Sequence, residues 1–259
     1  MKRRVARVRG PPGVSSSRML CSISLSPPDA IEGHAVLFSA DQARQITRVL
    51  RLHDSDEVVV LDGVGAQYRA RLVVEGRGVC GEVIGPAADC HEPARRVTLL
   101  VAPPKGERWE WLLQKGAELG VAAFAPVVAR YSQPGTTVVK PRHREIVREA
   151  TEQCRRLLVP RIEEPRPFAA ALETAVRRAH SATILLWEEA GASDLAATIR
   201  STLQSGDDDV TLVIGPEGSF HPDEVTLARE LGVSLAGLGP LILRTETAAI
   251  VAAALTLNE

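Results

Sequence analysis

Long apolar runs, paired cysteines and clustered histidines are what this sequence has little of, and each absence removes a class of protein. No stretch approaches the roughly 20 uncharged apolar residues that a membrane-spanning helix needs; the longest apolar run, Ala248 to Leu255, is short and alanine-rich. The four cysteines (Cys21, Cys80, Cys90 and Cys154) form no Cys-x-x-Cys pair. That argues against a zinc ribbon or a disulfide framework and fits a reducing cytoplasm. The six histidines are scattered, with no two at ligand spacing on one helix, so no metal is expected. Residues 1–17 lack acidic side chains and the apolar centre of a secretory signal. With five basic residues and the breaker run Gly10-Pro11-Pro12-Gly13, they read as a disordered basic arm or as a misplaced start upstream of Met19. A transit peptide remains open.

What is present is an ordinary globular composition: 45% apolar and 24% charged over 259 residues. This excludes a wholly disordered, collagen-like or coiled-coil chain, and the length favours two modest domains. The net charge of -1 conceals an asymmetry. Residues 1–96 carry 14 basic and 11 acidic side chains, 101–161 carry 11 and 6, and 162–259 carry 6 and 15. A basic front with an acidic rear suits a protein that holds a polyanion with one part, although solvated surface charge would give the same count.

From Arg18 to Cys90 the pattern is of short strands with one helix, expected to start at Asp41 as N-cap and to turn Ile46, Val49 and Leu50 inward. Glu57 to Leu61, a turn at Asp62-Gly63, Gln67 to Val74 and Val79 to Ile84 come next, enough for a small β-barrel. Beyond a linker at 87–96 the pattern becomes βαβ. A strand Val97 to Ala102 precedes a helix from Arg108 to Leu119 with Trp109, Leu112, Leu113, Gly116 and Ala117 on one face. A helix Arg142 to Leu157 is expected to bury Ile146, Ala150, Cys154 and Leu157. Strands at Thr183 to Trp187, Val210 to Ile214 and Ser234 to Leu238, and a last helix from Thr245, imply an α/β fold with a mainly parallel sheet.

The strand Val210 to Ile214 runs straight into Gly215-Pro216-Glu217-Gly218-Ser219. Ligands of open α/β sheets bind beyond the carboxyl ends of strands, where glycines let a backbone come close. The next helix begins Pro222-Asp223-Glu224, so its N-terminus is already neutralised by acids and a phosphate is unwelcome there. A plain strand-to-helix turn is the competing reading. A second such loop, Leu238-Gly239-Pro240-Leu241-Ile242-Leu243-Arg244-Thr245-Glu246-Thr247-Ala248, weakens that competitor. In it Thr245 is a natural N-cap, and Arg244 is expected beside a buried helix, where a guanidinium needs an acid or a ligand.

These loops, together with Arg48-Val49-Leu50-Arg51-Leu52, Leu61-Asp62-Gly63, Lys105-Gly106-Glu107-Arg108, Gln114-Lys115, Glu118-Leu119-Gly120, Glu152-Gln153-Cys154, Arg156 and Val159-Pro160, resemble the SPOUT superfamily methyltransferases that make N3-methyluridine in 16S ribosomal RNA. The resemblance runs from Arg18 onward. It implies a PUA-like RNA-binding β-barrel over residues 18–90 and a SPOUT methyltransferase domain over 96–259, with a C-terminal trefoil knot around an S-adenosylmethionine pocket. It also implies a homodimer packed through knot helices, and ribosomal RNA or the small ribosomal subunit as partner.

The implied pocket uses Leu186 and Trp187, Ile214 to Gly218 (Ile214, Gly215, Pro216, Glu217, Gly218), and Leu238, Gly239, Leu241, Ile242, Leu243, Thr245, Thr247 and Ala248. Arg244 is the candidate stabiliser of charge on the uracil oxygens, and Glu217 is the candidate acceptor of the N3 proton or, equally, a structural loop carboxylate. Arg18, Arg48, Arg51, Lys105, Arg108, Arg155 and Arg156 are the candidate phosphate contacts, unless they pair on helix surfaces; Glu152 is spaced to pair with Arg155 or Arg156. Trp109 and Trp111 could stack on bases, but Trp109 lies on the apolar face.

The sequence departs from the family at Ser219 where glycine is usual, at His221-Pro222, and at Gln45. A serine at a position of positive φ costs about 1 kcal/mol or somewhat more. Two rivals share the motifs in part: a non-catalytic ribosome-assembly factor, and a SPOUT methyltransferase acting on another RNA.

Overall fold

The computed structural model describes residues 23–26, 30–76, 78–88, 92–135, 138–178, 180–189, 194–203 and 209–259. The arm at residues 1–17, Arg18, Cys21 and Cys90 lie outside them. The first part contains β1 (Ile23–Leu25), β2 (Ile31–Glu32), β3 (Ala35–Leu37), α1 (Ala40–Arg44), β4 (Glu57–Leu61), β5 (Gln67–Glu75) and β6 (Gly78–Pro86). They form one six-stranded sheet in the order β1-β4-β5-β6-β3-β2, antiparallel except for β1 against β4. In β5 the alternation has the expected outcome, with Ala70 and Leu72 buried while Arg69 and Arg71 stay outside.

The first helix departs from expectation. Ser39, not Asp41, is its cap: Ser39 Oγ accepts from the Gln42 amide at 3.3 Å and Gln42 Oε1 accepts from the Ser39 amide at 2.9 Å. The helix then widens into a π-turn over Gln45–Val49. The extra residue per turn rotates the end of the helix, so Ile46 remains buried but Val49 and Leu50 face solvent, 72% and 38% exposed.

The second part contains β7 (Arg96–Val101), α2 (Glu107–Leu119), β8 (Ala123–Val128), α3 (Pro141–Gln153), β9 (Arg161–Ile162), β10 (Arg166–Pro167), α4 (Phe168–Val176), β11 (Ser181–Leu186), α5 (Leu195–Thr202), β12 (Asp209–Ile214), α6 (Pro222–Glu230), β13 (Ser234–Ala236) and α7 (Thr245–Asn258). The sheet order is β10-β8-β7-β12-β11-β13 with β9 beside β8, and every pairing is parallel. Successive residues of the central strands serve opposite cores. Leu212 and Ile214 join the cluster under α2, α3, α5 and α7, while Val213 joins Phe168, Leu172 and Val225 on the other face. Burial on both faces is why these strands read as unbroken apolar runs.

Helix α2 buries the five expected residues. Helix α3 does not bury the expected set. It ends at Gln153, because Arg155 adopts a left-handed conformation (φ 63°) that terminates it as a glycine would. His143, Val147, Ala150 and Thr151 face inward, and Ile146, Cys154 and Leu157 are only half-buried. Burial holds the His143 imidazole below its usual pKa, and its Nδ1 accepts from the Lys140 amide at 3.2 Å. Helix α7 buries Ala249, Ala252, Ala253 and Thr256 against the sheet, α2 and α5, and leaves Leu255 41% exposed.

Two of the sequence motifs meet at the joint between the sheets. Asp62 Oδ1 accepts the amides of Val64, Gly65 and Ala66 at 2.9–3.0 Å, which fixes a turn whose Gly63 carbonyl accepts from Val159 N at 3.1 Å. Among the described residues no helix is long and apolar enough to cross a membrane.

Candidate functional site

A cleft of about 580 Å³, solvent mouth included, opens at the carboxyl ends of β11, β12 and β13. That is the end at which open α/β sheets hold ligands. One wall is the loop after β12. Gly215 packs against Phe220, so closely that a Cβ there would lie 3.0 Å from the ring. The other wall is the loop after β13, where Gly239 takes φ 101°. Thr245 joins the two walls by donating its hydroxyl to the Gly215 carbonyl at 3.0 Å. Leu241 and Ile242 form a lip that is 76% and 87% exposed.

Of the expected pocket residues, Leu186, Trp187, Ile214, Gly215, Pro216, Leu238, Gly239, Leu241, Ile242, Leu243, Thr245 and Ala248 line the cleft. Glu217, Gly218 and Thr247 do not. Sequence reasoning missed Glu188, Phe220, Ala236 and Gly237, and it weighed Ser219 for its backbone rather than as a lining side chain. Phe220 was detectable as the one large apolar residue between the loop and the acidic helix start. Among the described residues, Glu188 is the only charged one that lines the cleft.

Helix α6 begins as its sequence implies. His221 is the N-cap, its Nδ1 accepting from the Asp223 amide at 3.2 Å, and Glu224 closes a capping box on the His221 amide at 2.9 Å. With two acids in that turn, a phosphate would meet negative charge. Ser219 does adopt positive φ, at 64°, and its buried hydroxyl has no hydrogen-bond partner among the described residues. Ser219→Gly removes both the strain and the orphan hydroxyl. The ligand-free protein should gain about 1 kcal/mol, seen as a thermal midpoint about 2–4 °C higher. An unchanged or lowered midpoint would show that the loop is not strained there.

The candidate catalytic pair is not arranged as expected. Arg244 is exposed rather than buried and forms no ion pair among the described residues. The reason is local: Arg244, not Thr245, occupies the N-cap of α7 with extended backbone, while Thr245 and Glu246 take the buried positions of the first turn. Glu246 Oε2 is buried without a hydrogen-bond partner among the described residues, a feature that no sequence pattern flagged. Glu217 is exposed and ion-paired with Arg108 at the N-terminus of α2.

The candidate RNA residues fall into separate places. Arg156 is buried and is not a phosphate contact. Its guanidinium holds Glu92 at 2.7 Å and donates to the carbonyls of Ala117 and Val121 at 3.0 and 2.8 Å. Arg155 is exposed beside it, near the opposite end of α2 from Arg108. Lys105 is exposed in the loop before α2. Arg48 and Arg51 are exposed along a groove that they share with Arg44, Thr47 and His53. Trp109 is core, in edge contact with Phe124, whereas Trp111 is 43% exposed.

Residues 91–257 match the family model of the RNA methyltransferase domain. The ribosomal RNA small subunit methyltransferase E of Synechocystis sp. is 31% identical over 246 residues, covering 93% of this chain and 78% of the relative. That of Bacillus subtilis is 29% identical over 240 residues, covering 89% and 92%. The crystal structure of ribosomal RNA small subunit methyltransferase E from Neisseria gonorrhoeae bound to S-adenosyl methionine superposes with a TM-score of 0.76 at 26% identity, covering 90% of this chain and 95% of that one.

Proposed function

Because the chain belongs to the RNA methyltransferase family, we propose that it transfers a methyl group from S-adenosylmethionine to N3 of a uridine in the 16S ribosomal RNA of the small subunit. The observation that carries this reading is the cleft itself, two strand-end loops tied by Thr245 to Gly215 inside the matched region. Its chemistry fits the donor. The walls are apolar and backbone-rich, and Glu188 suits a positively charged sulfonium; among the described residues no cation lines the cleft to invite a phosphate, and the buried Ser219 hydroxyl has no partner.

When bound, S-adenosylmethionine supplies an electrophilic methyl group. The chain has to align the uracil, exclude water and remove the N3 proton, because neutral N3 offers no good lone pair. Glu217 is the acceptor for that proton, and Arg108 compensates its charge until RNA arrives. Arg244, exposed between the cleft-lining Leu243 and Thr245 and free of internal partners among the described residues, stabilises negative charge on the uracil oxygens. Titration calorimetry separates this reading from a ribosome-assembly factor, which has no use for a methyl donor. Saturable binding of S-adenosylmethionine is expected, and its absence would favour the assembly factor.

The finer architecture belongs to the same proposal. The six-stranded sheet closes as a PUA-like barrel that holds RNA in the cytoplasm, and the segment from β13 to α7 threads a trefoil knot. The exposed Leu255 of α7 is covered by a second copy. Light scattering should then give twice 27.8 kDa; a clean monomer at micromolar concentration would contradict the dimer. RNA binding should weaken with salt, and replacing Arg48 and Arg51 together by alanine should flatten the dependence of log affinity on log salt by about 2. An unchanged slope would remove the first sheet as the RNA platform.

A further inference from the structure

Strand β8 ends at Val128, and the chain crosses the carboxyl end of the sheet in a turn that is fixed at several points. Ser132 Oγ accepts the Ala129 amide at 2.9 Å, and the Ser132 amide returns to the Ala129 carbonyl at 3.0 Å. Arg130 fastens this turn to α6, with its amide on Glu224 Oε1 at 2.9 Å and its guanidinium on Asp223 at 3.4 Å. Between these anchors stands Tyr131. Its Cβ lies so close to Gly218 that a Cβ on that glycine would approach to 3.1 Å, and its ring tilts against His221 at 5.8 Å. Yet 47% of Tyr131 remains exposed.

Gly218 follows Glu217, so the Tyr131 ring and the Arg108–Glu217 pair border two consecutive residues of one loop, whose neighbours Pro216 and Ser219 line the cleft. A held, half-exposed aromatic beside a donor–acceptor pair has the chemistry of a base site. We propose that Tyr131 is the shelf on which the target uracil stacks, with the imide edge of the base turned to Arg108 and Glu217.

Uracil presents an acceptor, a donor and an acceptor along O2, N3–H and O4. A guanidinium donating to a carbonyl oxygen and a carboxylate accepting N3–H match that edge. Cytosine would bring its N3 lone pair against the carboxylate, and a site with unmatched polar groups rejects such a base strongly. The proposal rests on uridine N3 methylation as read above, and extends it from reaction to base recognition.

The test compares Tyr131→Phe and Tyr131→Leu, both of which keep the Cβ against Gly218. Methylation of small subunits is followed at saturating S-adenosylmethionine, with RNA affinity, donor affinity and thermal midpoint measured alongside. Phe should hold kcat/KM near the parent. Leu should lose about 5- to 150-fold in kcat/KM and weaken RNA binding, the range for one base stacked on an aromatic ring, with donor affinity and midpoint unchanged. Equal activity of Leu and parent overturns the shelf, as does equal loss in Phe and Leu or loss of donor binding in Leu, which would make Tyr131 a prop for the cofactor loop. The parent's product keeps the two claims apart. A methylated nucleoside other than 3-methyluridine would refute the uridine reading while the Phe-to-Leu contrast still decides the shelf. With no product at all, the RNA affinities of the two variants decide it.

Discussion

Arg244→Ala is expected to fold as the parent does, to bind S-adenosylmethionine with unchanged affinity, and to lose methyl transfer by a factor on the order of 10²–10³ in kcat. The exposure of Arg244 sharpens this expectation. A buried guanidinium would have confounded loss of activity with loss of fold, but Arg244 has no internal partner among the described residues, so its removal strands no charge. What it can stabilise is charge that develops on the uracil during deprotonation. An interaction realised only then lowers kcat and kcat/KM together and spares ground-state binding. Steady-state kinetics with calorimetry and thermal unfolding resolve the outcome. A folded, donor-binding variant that works at the parent rate would make Arg244 incidental.

The second large effect is on stability. Arg156→Ala should destabilise the protein by about 3–5 kcal/mol, because it leaves Glu92 and two α2-end carbonyls without their donor in a part-buried site. For a chain of this size that is a fall of about 6–20 °C in midpoint. Glu92 also accepts the Leu158 amide at 2.9 Å, so the loss should loosen the segment that carries the joint to Gly63. Arg155→Ala, one residue away and exposed, should leave the midpoint within about 1–2 °C of the parent, since exposed substitutions rarely exceed about 0.5 kcal/mol. Equal midpoints for the two variants would mean that the Arg156 cluster does not stabilise the fold.

Much of this architecture was legible because burial imposes a period. The five inward residues of α2 and the bounds of β4 follow from spacing and propensity alone. Strand β8 escaped because Pro126 and two alanines interrupt a run that would otherwise read as a strand; Pro126 is tolerated because it falls where β8 acts as an edge, between its pairing with β9 at Ala123 and Phe124 and with β10 at Val127 and Val128. The π-turn after α1 has no compositional mark. Arg156 reads as surface charge until Glu92, distant in sequence, is brought beside it.

At the site, both loops and most of the cleft lining were visible as glycine-bearing strand ends. The strain at Ser219 followed from asking what backbone a glycine would have permitted. The orientation of Arg244 was not legible, since whether Arg244 or Thr245 caps α7 depends on the hydroxyl that Thr245 gives to Gly215. Nor was Tyr131, whose place depends on Gly218 across the sheet end.

The most direct test of the central claim is mass spectrometry of nucleosides from small-subunit RNA incubated with the purified chain and S-adenosylmethionine carrying an isotopically labelled methyl group. The account predicts labelled 3-methyluridine that appears with the parent and vanishes with Arg244→Ala. RNA with no labelled 3-methyluridine, or with the label confined to another nucleoside, would contradict it.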